Sequence, residues 1–383
     1  MKRILLFLFF IQCFCVHAQT IFVRQDSVPV FANSVQMQNP WAGGINSAQF
    51  SEIDLDQDGI LDLFIFDRAG NKITTYINSG TPNQVDYKCK AEYVSQFPVM
   101  HSWVLLRDYN CDGKMDIFTA LNGSTPGISI WKNISSPMNG LQFQLMVDPL
   151  LSNYSPNSTN QILPLAVSNP DIPAIRDVDG DGDLDVLTFD AGGLQVEFHR
   201  NISMDSFGVC DSLIYKLEVG CWGEFSENFS GSGVTLFTTC APVPINKNHS
   251  NEIFRMHVGS CLECIHVGND TDQDLLIGDL NSTRITYLQN GGSALYAQMD
   301  MVDDSFPIYD SIVDFSFFPC GFHLDVNNDG KKDLLFSPNS AFSAENFNSC
   351  YLYENLNPDS NVSVSYVENN FMQKTMIDVG ETA

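Results

Sequence analysis

Basic residues are scarce in this sequence. Only 19 of its 383 residues are Lys or Arg, against 46 Asp or Glu, which gives a formal net charge of −27. Proteins bind a phosphate backbone through basic side chains that displace its counterions, so we expect no nucleic-acid partner. The chain is nevertheless 44% hydrophobic and contains 28 Phe and 12 Tyr, a composition that favours strands around a core. Together these features predict an all-β protein.

Long hydrophobic runs are absent after the N-terminus. Two basic residues precede a short apolar run at 4–15, and Val16-His17-Ala18 provides a small-residue cleavage site. This arrangement is typical of a secretory signal peptide, which we assign to residues 1–18. The run is too short to cross a bilayer, and polar sequence follows it. We therefore expect export to the extracellular space or cell surface, with no membrane span.

Common catalytic signatures are also missing. The sequence contains no H-E-x-x-H, no G-x-S-x-G and no phosphate-binding G-x-x-x-x-G-K-[ST], which are the marks of zinc proteases, serine hydrolases and nucleotide-binding proteins. We therefore expect the protein not to be an enzyme.

Nine of the eleven cysteines follow the predicted signal peptide. Cysteines of exported proteins mostly form disulfides, so an odd number leaves one unpaired. Cys210 with Cys221 and Cys320 with Cys350 are the hypothetical local pairs. The C-x-x-C motif at 261–264 also indicates disulfides, with a redox or zinc role as the less favoured alternative.

One nine-residue pattern, D-x-[DN]-x-D-G-x-x-D, recurs along the chain. Intact copies occupy residues 54–62, 108–116, 177–185 and 325–333, and a degraded copy at 266–274 lacks the first two acids and the glycine. Each copy precedes a strand, a turn and a second strand that ends on an Asn. Five acidic loops that each lead into a β-hairpin predict a β-propeller with blades of about four antiparallel strands.

The connection between the third and fourth repeats is unusually long. Five of the nine cysteines lie between residues 201 and 266. We interpret the stretch near 205–262 as a Cys-rich insertion in a propeller that spans 19–383. A degenerate extra blade is the alternative.

Oxygen donors occupy fixed positions in the repeated pattern. Carboxylate or amide oxygens at positions 1, 3, 5 and 9, with a backbone carbonyl at position 7, suit Ca²⁺, which takes 6 to 8 oxygen ligands. Glycine at position 6 permits the positive φ of a tight turn. EF-hand and dockerin loops are excluded because they need an acid at position 12, which is held here by Ile65, Thr119, Thr188 and Phe336.

The sequence therefore predicts four calcium sites and a weaker fifth. The predicted ligands are Asp54, Asp56, Asp58, Ile60 and Asp62; Asp108, Asn110, Asp112, Lys114 and Asp116; Asp177, Asp179, Asp181, Asp183 and Asp185; and Asp325, Asn327, Asp329, Lys331 and Asp333. Ile60, Lys114, Asp183 and Lys331 would bind through their backbone carbonyls. The weaker site would use Asp270, Asp272 and Asp274. Eighteen of the 46 acidic residues are aspartates of these five loops.

With these four loops, the chain resembles the FG-GAP or VCBS-type repeat proteins, secreted bacterial relatives of the integrin α-chain propeller. Blades of that family carry a D-x-D-x-D-G-x-x-D calcium loop, and the likeness covers nearly all of 19–383. Such propellers usually have seven blades, so five visible repeats are consistent with an incomplete member. The resemblance implies a non-catalytic, calcium-binding module for adhesion or for binding an extracellular protein or glycan. The alternative is an accessory or catalytic propeller of a secreted polysaccharide-degrading enzyme.

Overall fold

Regular structure in this chain is almost entirely β-strand. A computed structural model describes residues 25–123, 125–155, 160–228, 233–238, 259–268, 270–340 and 344–379. The predicted signal peptide lies outside these residues. The chain divides into two units, Met1–Met37 and Gln38–Ala383. In the first unit, β1 (Phe31–Ala32) and β2 (Val35–Gln36) pair as an antiparallel hairpin.

The second unit is a five-bladed propeller built on antiparallel sheets. The first blade contains β3 (Ala48–Ile53), β4 (Asp62–Asp67), β5 (Lys72–Asn78) and β6 (Tyr87–Cys89). The second contains β7 (Val104–Arg107), β8 (Asp116–Ala120), β9 (Ile128–Asn133) and β10 (Phe143–Val147). Strands β11 (Leu151–Asn153) and β12 (Ile162–Pro164) follow the second blade along the chain.

The remaining three blades repeat the plan. The third contains β13 (Ala174–Arg176), β14 (Asp185–Phe189), β15 (Val196–Asn201) and β16 (Tyr215–Val219). A small sheet of β17 (Phe225–Glu227) and β18 (Val234–Leu236) comes next. The fourth blade contains β19 (Ser260–Ile265), β20 (Asp274–Asp279), β21 (Ile285–Asn290) and β22 (Met299–Asp303). The fifth contains β23 (Pro319–Leu324), β24 (Asp333–Pro338), β25 (Tyr351–Asn355) and β26 (Val364–Glu368).

The third blade is wider than the others. Strand β11 pairs in parallel with the outer strand β16, and β12 pairs with β11, which makes a six-stranded sheet. Strand β16 comes from the stretch near 205–262 that the sequence predicts as an insertion, so part of that stretch completes a blade. Residues 239–258 of the same stretch lie outside the described residues.

Helices are short in the described residues. The single α-helix, α1, spans Ser203–Phe207, and 3₁₀ turns span Ala91–Gln96, Asp359–Asn361 and Gln373–Thr375. None of the described helices has the length and apolar character needed to cross a membrane.

The fifth blade packs directly against the first. The Phe50 ring on β3 lies 5.7 Å from the Phe322 ring on β23 and 6.0 Å from the Phe371 ring, with centroids as the measured points. A polar contact crosses the same junction: the backbone N–H of Gln84 donates to the backbone carbonyl of Asn327 at 2.8 Å. Five blades therefore complete the ring. The predicted all-β propeller of about four-stranded blades is confirmed.

Two disulfides between described cysteines join different blades. Cys111 bonds to Cys210 and Cys261 to Cys320, across 99 and 59 residues of sequence. The predicted local pairs, Cys210 with Cys221 and Cys320 with Cys350, are therefore wrong. In a propeller, corresponding positions of successive blades lie side by side, whereas residues close in sequence can fall on different elements. Cys264 and Cys350 are both buried free thiols, so the expectation of one unpaired cysteine was too low.

Candidate metal centres

Each intact loop turns around its first aspartate. The N–H of the glycine at position 6 donates to this carboxylate at 2.8 to 3.0 Å in all four loops. The glycines have φ between +81° and +102°, a region that residues with a Cβ rarely adopt. The predicted role of glycine at this position is therefore confirmed. The pairs are Gly59 with Asp54, Gly113 with Asp108, Gly182 with Asp177, and Gly330 with Asp325.

The aspartate at position 5 holds the backbone of residue 7. Its Oδ1 accepts the N–H of residue 7 at 2.8 to 3.1 Å in every intact loop. This bond holds the backbone at residue 7, whose own carbonyl is the predicted backbone ligand. The residue pairs are Ile60 with Asp58, Lys114 with Asp112, Asp183 with Asp181, and Lys331 with Asp329.

Two loops bring three carboxylates around one point. Ligand oxygens of Asp54, Asp56 and Asp58 all lie within 4.8 Å of one another, and the same holds for Asp177, Asp179 and Asp185. Calcium–oxygen bonds are about 2.3–2.6 Å long, so oxygens on opposite sides of one ion are separated by about 5 Å. A single calcium ion can therefore contact all three carboxylates of either loop.

The other two intact loops carry an amide at position 3. Asn110 and Asn327 occupy it, and each Oδ1 accepts the N–H of residue 5, at 3.1 and 2.9 Å. Asp179 makes the same bond in the third loop, at 3.2 Å. Asn thus preserves the loop conformation and supplies an oxygen with no negative charge.

The aspartate at position 9 ties the loop to the hairpin behind it. It is the first residue of the second strand in every blade, and it is buried. Its Oδ2 accepts the N–H of residue 2 of the loop, and its Oδ1 accepts the N–H of the Asn that ends the third strand, at 2.7 to 3.2 Å. The five pairs are Asp62 with Asn78, Asp116 with Asn133, Asp185 with Asn201, Asp274 with Asn290, and Asp333 with Asn355.

Burial disfavours the ionised form of the position 9 carboxylates. It raises the pKa of Asp62 to about 6 and the pKa of Asp116, Asp274 and Asp333 to about 7 each. The backbone N–H donors lower the pKa, but by less than burial raises it. Burial also places the pKa of Asp185 well above its usual range. A bound cation would favour the ionised form of each group.

Basic side chains neutralise three of the intact loops in part. The Lys132 ammonium lies 3.5 Å from Asp112, and the Lys331 ammonium 2.9 Å from Asp329. Arg200 forms ion pairs with Asp179 and, at 3.3 Å, with Asp181. In the part of the chain that the structure describes, no basic side chain pairs with the acids of the first loop.

In the degraded loop of the fourth blade, side chains form hydrogen bonds with other protein groups. His266, at position 1, donates from Nδ1 to the Asp272 carbonyl at 2.7 Å, and Gln273 Nε2 contacts His266 Nε2 at 3.0 Å. Gln273 also donates to the Asp177 carbonyl of the third loop at 3.1 Å. Among the described residues, the ligand atoms of Asp270, Asp272 and Asp274 do not gather within 4.8 Å.

A charged cluster joins the first strands of three blades, and sequence reasoning missed it. Arg176 donates from Nε to Glu263 at 2.9 Å, and Arg107 lies 3.5 Å from the other oxygen of Glu263. All three side chains are at most 15% exposed. The available signal was a lone charged residue in otherwise apolar strands that lead into the acidic loops. The sequence shows the Asn at the end of each hairpin as a repeated feature, but it does not predict the hydrogen bond from this Asn to the aspartate at position 9.

The fold and these loops define a five-bladed propeller with acidic loops between the first and second strands of its blades. The family model of the FG-GAP-like repeat matches residues 54–119, which include the first two loops. The resemblance inferred from the sequence is confirmed, and this segment contains an FG-GAP-like repeat.

The solved structures that match this chain are distant. One is a lectin from Agrocybe aegerita that recognises non-reducing terminal N-acetylglucosamine; it is 14% identical, with a TM-score of 0.34, over 86% of this chain and 68% of the lectin. Another is BBS1N in complex with ARL6DN, 10% identical, with a TM-score of 0.29, over 78% of this chain and 91% of the other. Superpositions this loose support no inference about this chain. A search of curated proteins finds no match.

Replacing the position 9 aspartate of the fourth blade tests its structural role apart from any metal. Asp274→Ala leaves the N–H groups of Val267 and Asn290 without their acceptor, so we expect a loss of about 2–4 kcal/mol in the free energy of unfolding. Urea denaturation measures it, with Asp300→Ala, an exposed aspartate of the same blade, as the matched control. A loss below about 0.5 kcal/mol would contradict the role assigned to Asp274.

Proposed function

We propose that this protein is a secreted, non-catalytic propeller that four calcium ions stabilise and that binds an extracellular protein or glycan. The observation that carries the proposal is the common geometry of the four intact loops. In each, the backbone N–H groups hold the carboxylates of positions 1 and 5 in the same arrangement.

The donor set favours calcium over other metals. Every proposed ligand atom is a carboxylate, amide or carbonyl oxygen, which hard cations prefer, whereas zinc sites in proteins usually contain Cys or His. Magnesium requires a stricter octahedron and keeps more of its water. The convergence of three carboxylates in the first and third loops supports a single ion in each.

Charge distinguishes the four proposed sites. Asp54, Asp56 and Asp58 offer three carboxylates to one ion, whereas Arg200 competes for two of the third loop's acids. The second and fifth blades have Asn at position 3 and a lysine beside position 5. Calcium affinity in such loops rises with the number of ligand charges. We therefore assign the tightest site to the first blade.

The disulfides support an extracellular location. Cys111–Cys210 and Cys261–Cys320 link separate blades, and such bonds persist mainly in oxidising compartments. Extracellular calcium is millimolar, which matches weak, surface-exposed sites of this type. The signal peptide assigned to residues 1–18 agrees with this location.

A ligand-binding role suits an FG-GAP-type propeller. Loops on a rigid scaffold can vary freely without loss of the fold, and binding surfaces commonly form there. The carboxylates that gather in this structure belong to the loops, where a bound cation would occupy them. We therefore assign them to structure and not to acid–base catalysis.

Removing calcium tests the metal assignment. With EDTA we expect Tm to fall on the order of 10 °C, because several ions that bind only the folded state each contribute about 1–3 kcal/mol. Asp56→Ala should lose about one ion per chain, since Asp56 is an exposed member of the first carboxylate group. Calorimetry and metal analysis after dialysis measure these effects, with Asp300→Ala as the control. An unchanged Tm would contradict the calcium assignment.

The calcium effect should depend on pH. Without metal, the position 9 carboxylates of the second and fifth blades bind a proton below about pH 7. The folded metal-free protein then holds more protons than the unfolded chain, so its stability falls as pH rises from about 4 to 7. Calcium binding releases those protons. The Tm difference between calcium and EDTA should thus grow from pH 5 to pH 8; a constant difference would contradict the burial argument.

Array binding tests the ligand class. Labelled protein loaded with calcium is applied to a glycan array and to an array of extracellular proteins, and a matched sample is applied in EDTA. We expect a specific signal on one array that EDTA abolishes, because the blades lose the ions that hold their loops. No binder on either array would contradict the binding role while leaving the calcium result intact.

A further inference from the structure

A cavity of about 480 Å³ opens on the fourth blade, next to the degraded acidic loop. Its walls come from β21 and β22, from the segment after β22, and from Val362 of the fifth blade. The aromatic side chains Tyr287, Phe306 and Tyr309 line it together with Met301. Its volume is in the range of small-molecule sites, which are typically about 300–1,000 Å³ and mostly apolar with a few polar groups.

The surroundings of this cavity are negatively charged. None of its lining residues is basic, whereas Asp303 and Asp304 are both part of the wall. The carboxylates of Asp274 and Asp270 in the degraded loop also lie close enough to the Tyr287 hydroxyl to raise its pKa, together with burial. Since that loop lacks the acids of positions 1 and 3 and the glycine of position 6, we place no compensating ion there.

The two carboxylates in the wall, Asp303 and Asp304, have different hydrogen-bond partners. Asp303 accepts the N–H of Ser305 at 2.9 Å and that of Ile308 at 3.0 Å, so it holds the segment that forms the wall. Asp304 is exposed, and one of its oxygens accepts only the Ser305 hydroxyl, at 3.1 Å. Asp304 is therefore the carboxylate that a ligand can engage.

Tyr287 provides an aromatic part of the wall. The residue is only 5% exposed, and its hydroxyl is fully buried beside the Asp274 carboxylate. This phenol is particular to the fourth repeat, since the residues three before the hairpin Asn elsewhere are Thr75, Ile130, Phe198 and Leu352.

We propose that this cavity binds a small primary amine, with its ammonium group at Asp304 and its apolar part against the aromatic wall of Tyr287, Phe306 and Tyr309. Aromatic faces attract cations, and a carboxylate in the same wall adds charge complementarity. A neutral ligand would gain only from the apolar walls, and an anion would be repelled by Asp303 and Asp304. This site is independent of the calcium loops and of the proposed extracellular ligand.

Matched probes test the proposal on the full chain in millimolar calcium. 2-Phenylethylamine is a cation at neutral pH, 2-phenylethanol is its neutral counterpart, and phenylacetate is an anion of similar size. In ligand-observed NMR titrations, we expect the amine to bind at least tenfold more tightly than either of the others. Equal affinities for amine and alcohol would overturn the proposal, as would the absence of amine binding at millimolar concentrations.

Variants locate the binding. Asp304→Asn and Tyr309→Leu should each weaken amine binding by about tenfold, which corresponds to about 1.4 kcal/mol. Asp300→Asn, on β22 outside the cavity, should leave it unchanged. Asp304→Asn creates no buried polar group, whereas Tyr309→Leu removes the hydroxyl that accepts the Val364 N–H at 3.4 Å. Urea midpoints equal to the parent's therefore confirm that both variants fold. Amine binding that survives both Asp304→Asn and Tyr309→Leu would overturn the proposal.

Discussion

The buried aspartate at position 9 is the interaction on which the propeller depends. In every blade, including the fourth, its two oxygens accept one N–H from the acidic loop and one from the Asn that ends the third strand. A single carboxylate therefore fixes where the loop stops, where the second strand starts and where the hairpin ends. Three elements of a blade share one set of hydrogen bonds, and the loop retains its place even where its outer acids have been lost.

That arrangement has an electrostatic cost. Eighteen aspartates crowd into five loops of a chain with a net charge of −27, and burial raises the pKa of the position 9 group. Like charges about 4 Å apart repel by about 4 kcal/mol at an effective dielectric of 20. Two kinds of positive charge offset this repulsion. One is basic side chains such as Arg200 and Lys331, and the other, in our proposal, is calcium. The first loop has no basic partner among the described residues, which is why the calcium account depends on it most.

Local patterns predicted local structure well. The spacing of the acidic loops located the five blades, and the glycine at position 6 located a positive φ. The sequence could not predict which cysteines pair, because Cys111 and Cys210 meet only when two blades stand side by side. The Arg176–Glu263 contact depends on the same assembly. The cavity beside Tyr287 was also invisible, since its walls come from two blades and from a segment with no repeat pattern.

Anomalous diffraction from crystals grown in calcium tests the central claim most directly. Each of the four intact loops should show a calcium peak bounded by the carboxylates of positions 1 and 5, with the strongest peak in the first loop beside Asp54, Asp56 and Asp58. Metal–oxygen distances should be about 2.3–2.6 Å. Loops with the hydrogen bonds described here but no anomalous peak at saturating calcium would show that the propeller stands without metal, and would contradict the account.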